Sequence, residues 1–264
     1  MLPIGKVVRV FVKLLFTVIP LLLLGITPAQ GRNWNVIKNS GTIIAATEGG
    51  FHPFNFFDGP KLTGFEVELA EALVKKLGLK IEWRVVPFDA QLAAILQDRF
   101  DFAIASHAYT EERAKSVDFA NPHYCTGGQV AAARGGPLTV AALNGKTVGV
   151  QLATSYYESA KKIGGIKEIK TYKTDSDAFS ALKARKVDAW ISDKWVIRST
   201  LEKNSDAGII AGEQVFVEKI SMILRKNNQA LENQLNRALA ETMKDGTYGA
   251  LSQKYFKTDI SCRN

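Results

Sequence analysis

The side chains able to do chemistry in this 264-residue chain are scattered singly rather than gathered in a local motif. No Gly-x-Gly-x-x-Gly, phosphate-binding loop, Gly-x-Ser-x-Gly, His-Glu-x-x-His or EF-hand loop occurs. His52, His107 and His123 do not share one helical spacing, so a metal site could arise only by spatial convergence. Cleft or surface histidines are the plainer expectation. No local pair of carboxylates demands general acid–base work. Arg113 sits in a run of charges whose usual setting is a solvated helix start. Asp193 closes a strand and can cap the helix that follows. Thr154 and Ser155 are good helix N-caps, and a helix N-terminus is also an anion site, so capping and carboxylate binding can coexist. Phe51 and Phe88 read as core by residue type alone. Gln151 ends its strand and is a plausible cleft residue.

The elements that must position these residues alternate between strand and helix. Residues 42–47 predict a buried strand, and 54–57 another that ends at the Asp58-Gly59 turn. Phe65, Leu69, Ala70, Leu73, Val74 and Leu77 recur at helical spacing, with Glu66, Glu68 and Glu71 early, Lys75 and Lys76 late, and Gly78 as the stop. Strand 80–86, helix 88–96 and strand 100–105 complete the first unit. After an expected break at 131–137 the alternation restarts. It gives strand 147–151, a helix from Thr154 or Ser155, strand 168–172, helix 178–184, strand 187–192 and helix 195–203. A helical end, 230–256, is interrupted at Asp245-Gly246. It is too long to belong only to the second unit, so two crossings are expected, near 124–127 and 218–222. This is the α/β pattern of two open, mostly parallel sheets with a ligand cleft between two lobes.

Composition is ordinary globular: 46% hydrophobic, 23% charged, net charge +8. Disorder and collagen-like structure are excluded. The longest basic runs are pairs such as Lys75-Lys76 and Lys161-Lys162, so no nucleic-acid partner is expected. Residues 1–31 carry Lys6, Arg9 and Lys13 with no acid, then an apolar run broken by Pro20, then small polar residues. That is the pattern of a cleaved secretory signal peptide, with an apolar core shorter than the roughly 20 residues of a membrane span. Its removal leaves +5 on 233 residues, so much of the basic excess belongs to targeting. An exported protein can keep a disulfide. The two cysteines, Cys125 and Cys262, therefore predict one bridge tying the C-terminus to the hinge side, with two buried free thiols the close alternative.

Several strings now carry a resemblance. Residues 47–56 read Thr-Glu-Gly-Gly-Phe-His-Pro-Phe-Asn-Phe, followed by Leu62-Thr63-Gly64-Phe65-Glu66-Val67-Glu68-Leu69-Ala70. Then come Phe100-Asp101-Phe102-Ala103-Ile104-Ala105-Ser106 and the stretch from Thr110 to Phe119. Later stand Gly145-Lys146-Thr147-Val148-Gly149-Val150-Gln151, Val187-Asp188-Ala189-Trp190-Ile191-Ser192-Asp193, Asp245-Gly246-Thr247-Tyr248 and Lys254-Tyr255-Phe256. Together they resemble the periplasmic solute-binding proteins of polar amino-acid ABC transporters (family 3), over essentially the whole mature chain.

The resemblance implies a two-lobed, type II-like periplasmic-binding-protein fold with a two-crossing hinge. Lobe I would be 32–125 with 220–264, and lobe II 126–219. It implies that Arg113 grips a ligand α-carboxylate bidentately, that Asp193 pairs the α-ammonium, and that Phe51 and Phe88 sandwich the ligand side chain. Glu48 stands where the family usually has Asp, Ser106 where Gly is common, and Ala108 where Ser or Thr is usual, which removes one hydroxyl contact. The expected ligand is a polar amino acid, basic or neutral before acidic, because Glu48 and Asp193 set two carboxylates against one arginine. A membrane permease is the expected partner, with hinge closure as the device, a monomer as the state and no cofactor or metal. Two alternatives stand beside it. One is a periplasmic lyase resembling cyclohexadienyl dehydratase, which needs an acid in the cleft; Glu158 lies near that place and Tyr157 aligns with it. The other is a binding component of another periplasmic system, such as dehydrogenase maturation.

Overall fold

In the computed structural model, residues 31–262 are described; all of the expected signal segment except Gly31 lies outside them. Two five-stranded mixed sheets form the frame. The first has the order Lys80–Val85, Thr42–Thr47, Phe102–Ala103, Ile223–Arg225, Val117–Phe119, and its first three strands are parallel. The second has the order Glu168–Tyr172, Thr147–Gln151, Ala189–Asp193, Gly128–Ala133, Ile209–Gln214, again with its first three strands parallel. In each sheet the last two strands run antiparallel to their neighbours. The sheets are therefore less parallel than the alternating pattern predicts.

Between them the chain passes out along Tyr124–Thr126 and back along Glu218–Ile220, which pair antiparallel. The helices Gln229–Lys244 and Thr247–Phe256 then pack on each other and on Phe65–Lys76, which itself lies against Lys80–Val85 of the first sheet. Cys125, on the outgoing crossing, is bonded to Cys262, with Cα atoms 4.8 Å apart. This is the bridge that the two-cysteine count favours.

Local chemistry explains the elements that matter most. The helix Phe65–Lys76 starts at Gly64, whose φ of 123° suits glycine, and a Cβ there would stand 2.3 Å from the Phe54 carbonyl oxygen. Its inward face is mostly apolar, and Phe65, Leu69 and Leu73 are fully buried. The expected strand 100–105 shrinks to Phe102–Ala103, because the chain beyond it turns out of the sheet into the cleft loop. The expected break at 131–137 is corrected as well. Ala131, Ala132 and Ala133 lie inside the strand Gly128–Ala133, and the turn comes only at Arg134-Gly135. A run of alanines carries little strand signal, yet here it is buried between two neighbours and paired on both edges.

Candidate functional site

In each sheet the second strand runs between two parallel partners that the chain reaches in opposite directions, and the crevice beyond such a switch point is where open α/β sheets bind ligands. The two switch points face one another. Thr42–Thr47 leads into Glu48, and Phe102–Ala103 leads into Ser106 and His107. Opposite them, Thr147–Gln151 ends at Gln151 and Ala189–Asp193 ends at Asp193. Four strand ends thus deliver residues far apart in sequence to one place.

The lobes are in contact across it. Gln151 Nε2 donates to Glu48 Oε1 at 2.6 Å, Arg113 Nη2 donates to the Ala153 carbonyl at 2.8 Å, and His52 Nδ1 meets the Ser199 hydroxyl. The cavity left between them is about 10 Å³, space for about one water molecule. It is lined by Glu48, Phe51, Phe88, Ala105 and Ser106 on one side and Gln151, Thr154, Ser155 and Tyr156 on the other. A wider cavity of about 630 Å³ shares Ser155 and takes in Arg113, Ala153 and Glu158.

Of the ten residues expected at the site, seven line the inner cavity. Arg113 lines the wider one, while Ala108 and Asp193 line neither and lie buried beside them. Arg113 follows the N-cap Thr110 in the short helix Glu111–Ala114, as its charge run predicts, but its guanidinium turns inward. Nη1 donates to the Ala108 carbonyl at 2.9 Å and the group lies 5.6 Å from the Phe88 ring centroid. Burial pushes its pKa down. Both readings of Thr154 hold together: its hydroxyl caps Ser155–Lys162 by accepting from Tyr157 N–H, and it also lines the cavity.

Asp193 does cap the next helix. Its Oδ1 accepts from Trp195 and Val196 N–H at 2.6 and 3.2 Å, and its Oδ2 accepts from Thr126 Oγ1 at 2.6 Å. Complete burial outweighs these bonds and raises its pKa to about 7, with Glu218 adding to the rise. Glu48 is raised to about 7 by burial, against the pull of Gln151 and with the help of Asp175 and Asp89. Asp175, fully enclosed and accepting from the Trp190 indole N–H at 3.1 Å, is also held at about 7 by burial. The cleft is thus an enclosed place rich in carboxylates, whose charged forms want a cation.

Ala105 and Tyr156 in the cavity wall were not expected there, and three further residues do more around the site than their sequence setting shows. Glu66 reads from its position as a helix-dipole acid. Instead it is fully buried and accepts from Asn55 Nδ2, Ser106 N–H, Ser106 Oγ and His123 Nε2, all within 3.0 Å. It fixes Ser106 at a φ of 58°, where the family's common Gly would sit without strain. His107 is buried and stacks on Phe88 at 4.7 Å, its Nε2 bonded to Gln91 Oε1 at 2.8 Å. Burial drives its pKa well down, so it stays neutral and stiffens the Phe88 wall. Glu218, on the returning crossing, had no sequence signal beyond its charge. Among the described residues no cluster of His, Cys, Asp and Glu could hold a metal ion.

Two sheets facing one another through their switch points, joined by paired crossing strands and walled by phenylalanines, define a two-lobed binding protein. Residues 43–258 match the model of the bacterial extracellular solute-binding proteins, family 3, and the chain belongs to that family. The L-cystine-binding protein TcyJ of Escherichia coli K12 is 34% identical over 232 residues, 86% of this chain and 87% of the relative. An ancestral arginine-binding protein bound to arginine superposes with a TM-score of 0.79 at 36% identity, over 82% of this chain and 98% of that one. The ancestral amino acid-binding protein AncCDT-1, a precursor of cyclohexadienyl dehydratase, also gives 0.79, at 29% identity over 84% and 98%.

Proposed function

We propose that the mature protein is an exported, monomeric binding protein that closes its two lobes on a polar α-amino acid and presents it to a membrane permease. Lobe I is 32–125 with 220–264, and lobe II is 126–219. The observation that carries this reading is one half-buried arginine, Arg113, in the same cleft as carboxylates that reach it from both lobes, Glu48 and Asp193. Arg113 takes the ligand α-carboxylate with the N–H groups not used on Ala108 and Ala153, and Asp193 faces the α-ammonium. Phe51 and Phe88 flank the side chain, and Glu48 stands at its far end. Glu48, Asp175 and Asp193 make a cationic or neutral side chain easier to enclose than a second anion. The cystine and arginine relatives support a ligand of this kind.

A lyase on the same scaffold is the second reading, and one observation favours it: Glu48, an acid held near neutrality, lines the cavity. Glu158 does not serve, because it is exposed at the wider mouth and paired with Lys161 at 2.8 Å. A thermal-shift screen of amino acids against prephenate-like acids separates the two. Stabilisation by basic or neutral amino acids, with no consumption of the prephenate-like acids, is the result expected of a binding protein. Turnover of those acids would establish the lyase instead.

A further inference from the structure

The hinge holds a buried carboxylate that the sequence pattern does not assign to the site. Glu218 lies directly opposite Thr126 in the antiparallel pair of crossing strands. Side chains directly opposite share a face of the ribbon, and Thr126 uses that face to reach Asp193. Glu218 therefore projects toward the same place, and its charge acts on Asp193, Arg113 and Tyr156. It is only 9% exposed, and neither of its carboxylate oxygens meets hydrogen-bond geometry. Burial pushes its pKa up, against the pull of the nearby Ser155 and Tyr156 hydroxyls and of Arg113.

A buried carboxylate left in that condition is costly, and it calls for a donor. Asp193 has little room for one. A carboxylate offers about four acceptor positions, and the cap and Thr126 bonds occupy three of those on Asp193. An ammonium brings three N–H donors, more than the remaining position can take. On the strength of the amino-acid reading above, we propose that Glu218 is a further ligand-contacting residue, its carboxylate accepting the α-ammonium of the bound amino acid alongside Asp193. Arg113 and Glu218 then read the two charges of one zwitterion side by side, and the site demands an α-amino group next to the carboxylate. The competing role for Glu218 is that of a resident counter-ion of Arg113. Removing its charge would then strengthen the binding of every carboxylate alike.

Calorimetry on the wild type, Glu218→Gln and Glu218→Asp separates these roles. The ligands are L-arginine and L-histidine, each beside the same acid without its α-amino group, 5-guanidinopentanoate and imidazolepropanoate. Glu218→Gln is expected to weaken the amino acids by roughly 10- to 100-fold while the desamino acids stay within a factor of about three. Glu218→Asp should recover part of the loss. A structure of the wild type with the bound amino acid decides the matter even if the glutamine variant does not fold. It should show the ammonium nitrogen within about 3.2 Å of a Glu218 oxygen. Equal shifts for both members of each pair, or an ammonium out of reach of Glu218, would overturn the assignment. A wild type that binds the amino acids while Glu218→Gln keeps full discrimination removes Glu218 alone. A wild type that binds none of them removes the amino-acid reading and this assignment with it.

Discussion

At the scale of single residues, burial decides the chemistry of the cleft. Burial holds Glu48 and Asp193 at about 7 in the closed cleft, so near neutral pH each carboxylate there is about half protonated. A ligand ammonium pairs only with the charged form, so acidification makes binding compete with a proton. Affinity for arginine or histidine should therefore be level above about pH 8 and fall as pH drops through 7, by about tenfold per pH unit for each carboxylate that must ionise. Calorimetry between pH 8 and 5.5 checks this, and affinity that rises on acidification would contradict the pairing. The roles of Arg113 and Asp193 were suggested by resemblance, since each also has an ordinary local setting, a helix start and an N-cap. Glu66, His107 and Glu218 were hidden for a different reason. Their importance comes from burial against partners 16 to 57 residues away, or on another strand, which a local pattern does not carry.

At the scale of elements, the strands and helices with strong periodicity were legible almost to the residue. Thr42–Thr47, Phe88–Leu96, Thr147–Gln151 and Glu168–Tyr172 end where turn and cap residues say they should. The elements that were missed are short or belong to the antiparallel edges, such as Val117–Phe119, Ile209–Gln214 and Ile223–Arg225. They exist because a neighbouring strand pairs with them, not because their own sequence demands it. The crossing strands join the two sheets, and the Cys125–Cys262 bridge pins the last residues to one of them. It closes a loop of sequence separation 137, long enough for a large effect on the unfolded chain. Cys262→Ser should cost about 2–5 kcal/mol of stability, seen as a lower denaturant midpoint, while ligand affinity stays within a few-fold. Loss of binding in a folded Cys262→Ser protein would mean that the bridge also sets the geometry of the cleft.

At the scale of the whole molecule, the cross-cleft contacts and the 10 Å³ cavity describe a shut form too tight for an amino acid. Entry requires the lobes to part about the crossings, and capture requires them to close again on the ligand, the hinge motion that binding proteins use. Small-angle scattering should show the radius of gyration contracting when saturating arginine is added to the ligand-free protein. An unchanged curve would remove hinge closure. Neither the partner lobes nor their facing switch points could be drawn from strand and helix patterns alone, because those patterns fix the order of elements and not which sheet meets which. The family resemblance supplied that step, and the two facing sheets agree with it. The central claim is that one inward-turned guanidinium, Arg113, anchors an amino acid in this cleft. Its most direct test is a calorimetric titration of arginine and histidine into the wild type and into Arg113→Ala. Binding by the wild type with a loss of about 2–5 kcal/mol in the variant is the predicted result. Equal affinity in the two proteins, or no binding by the wild type, would contradict it.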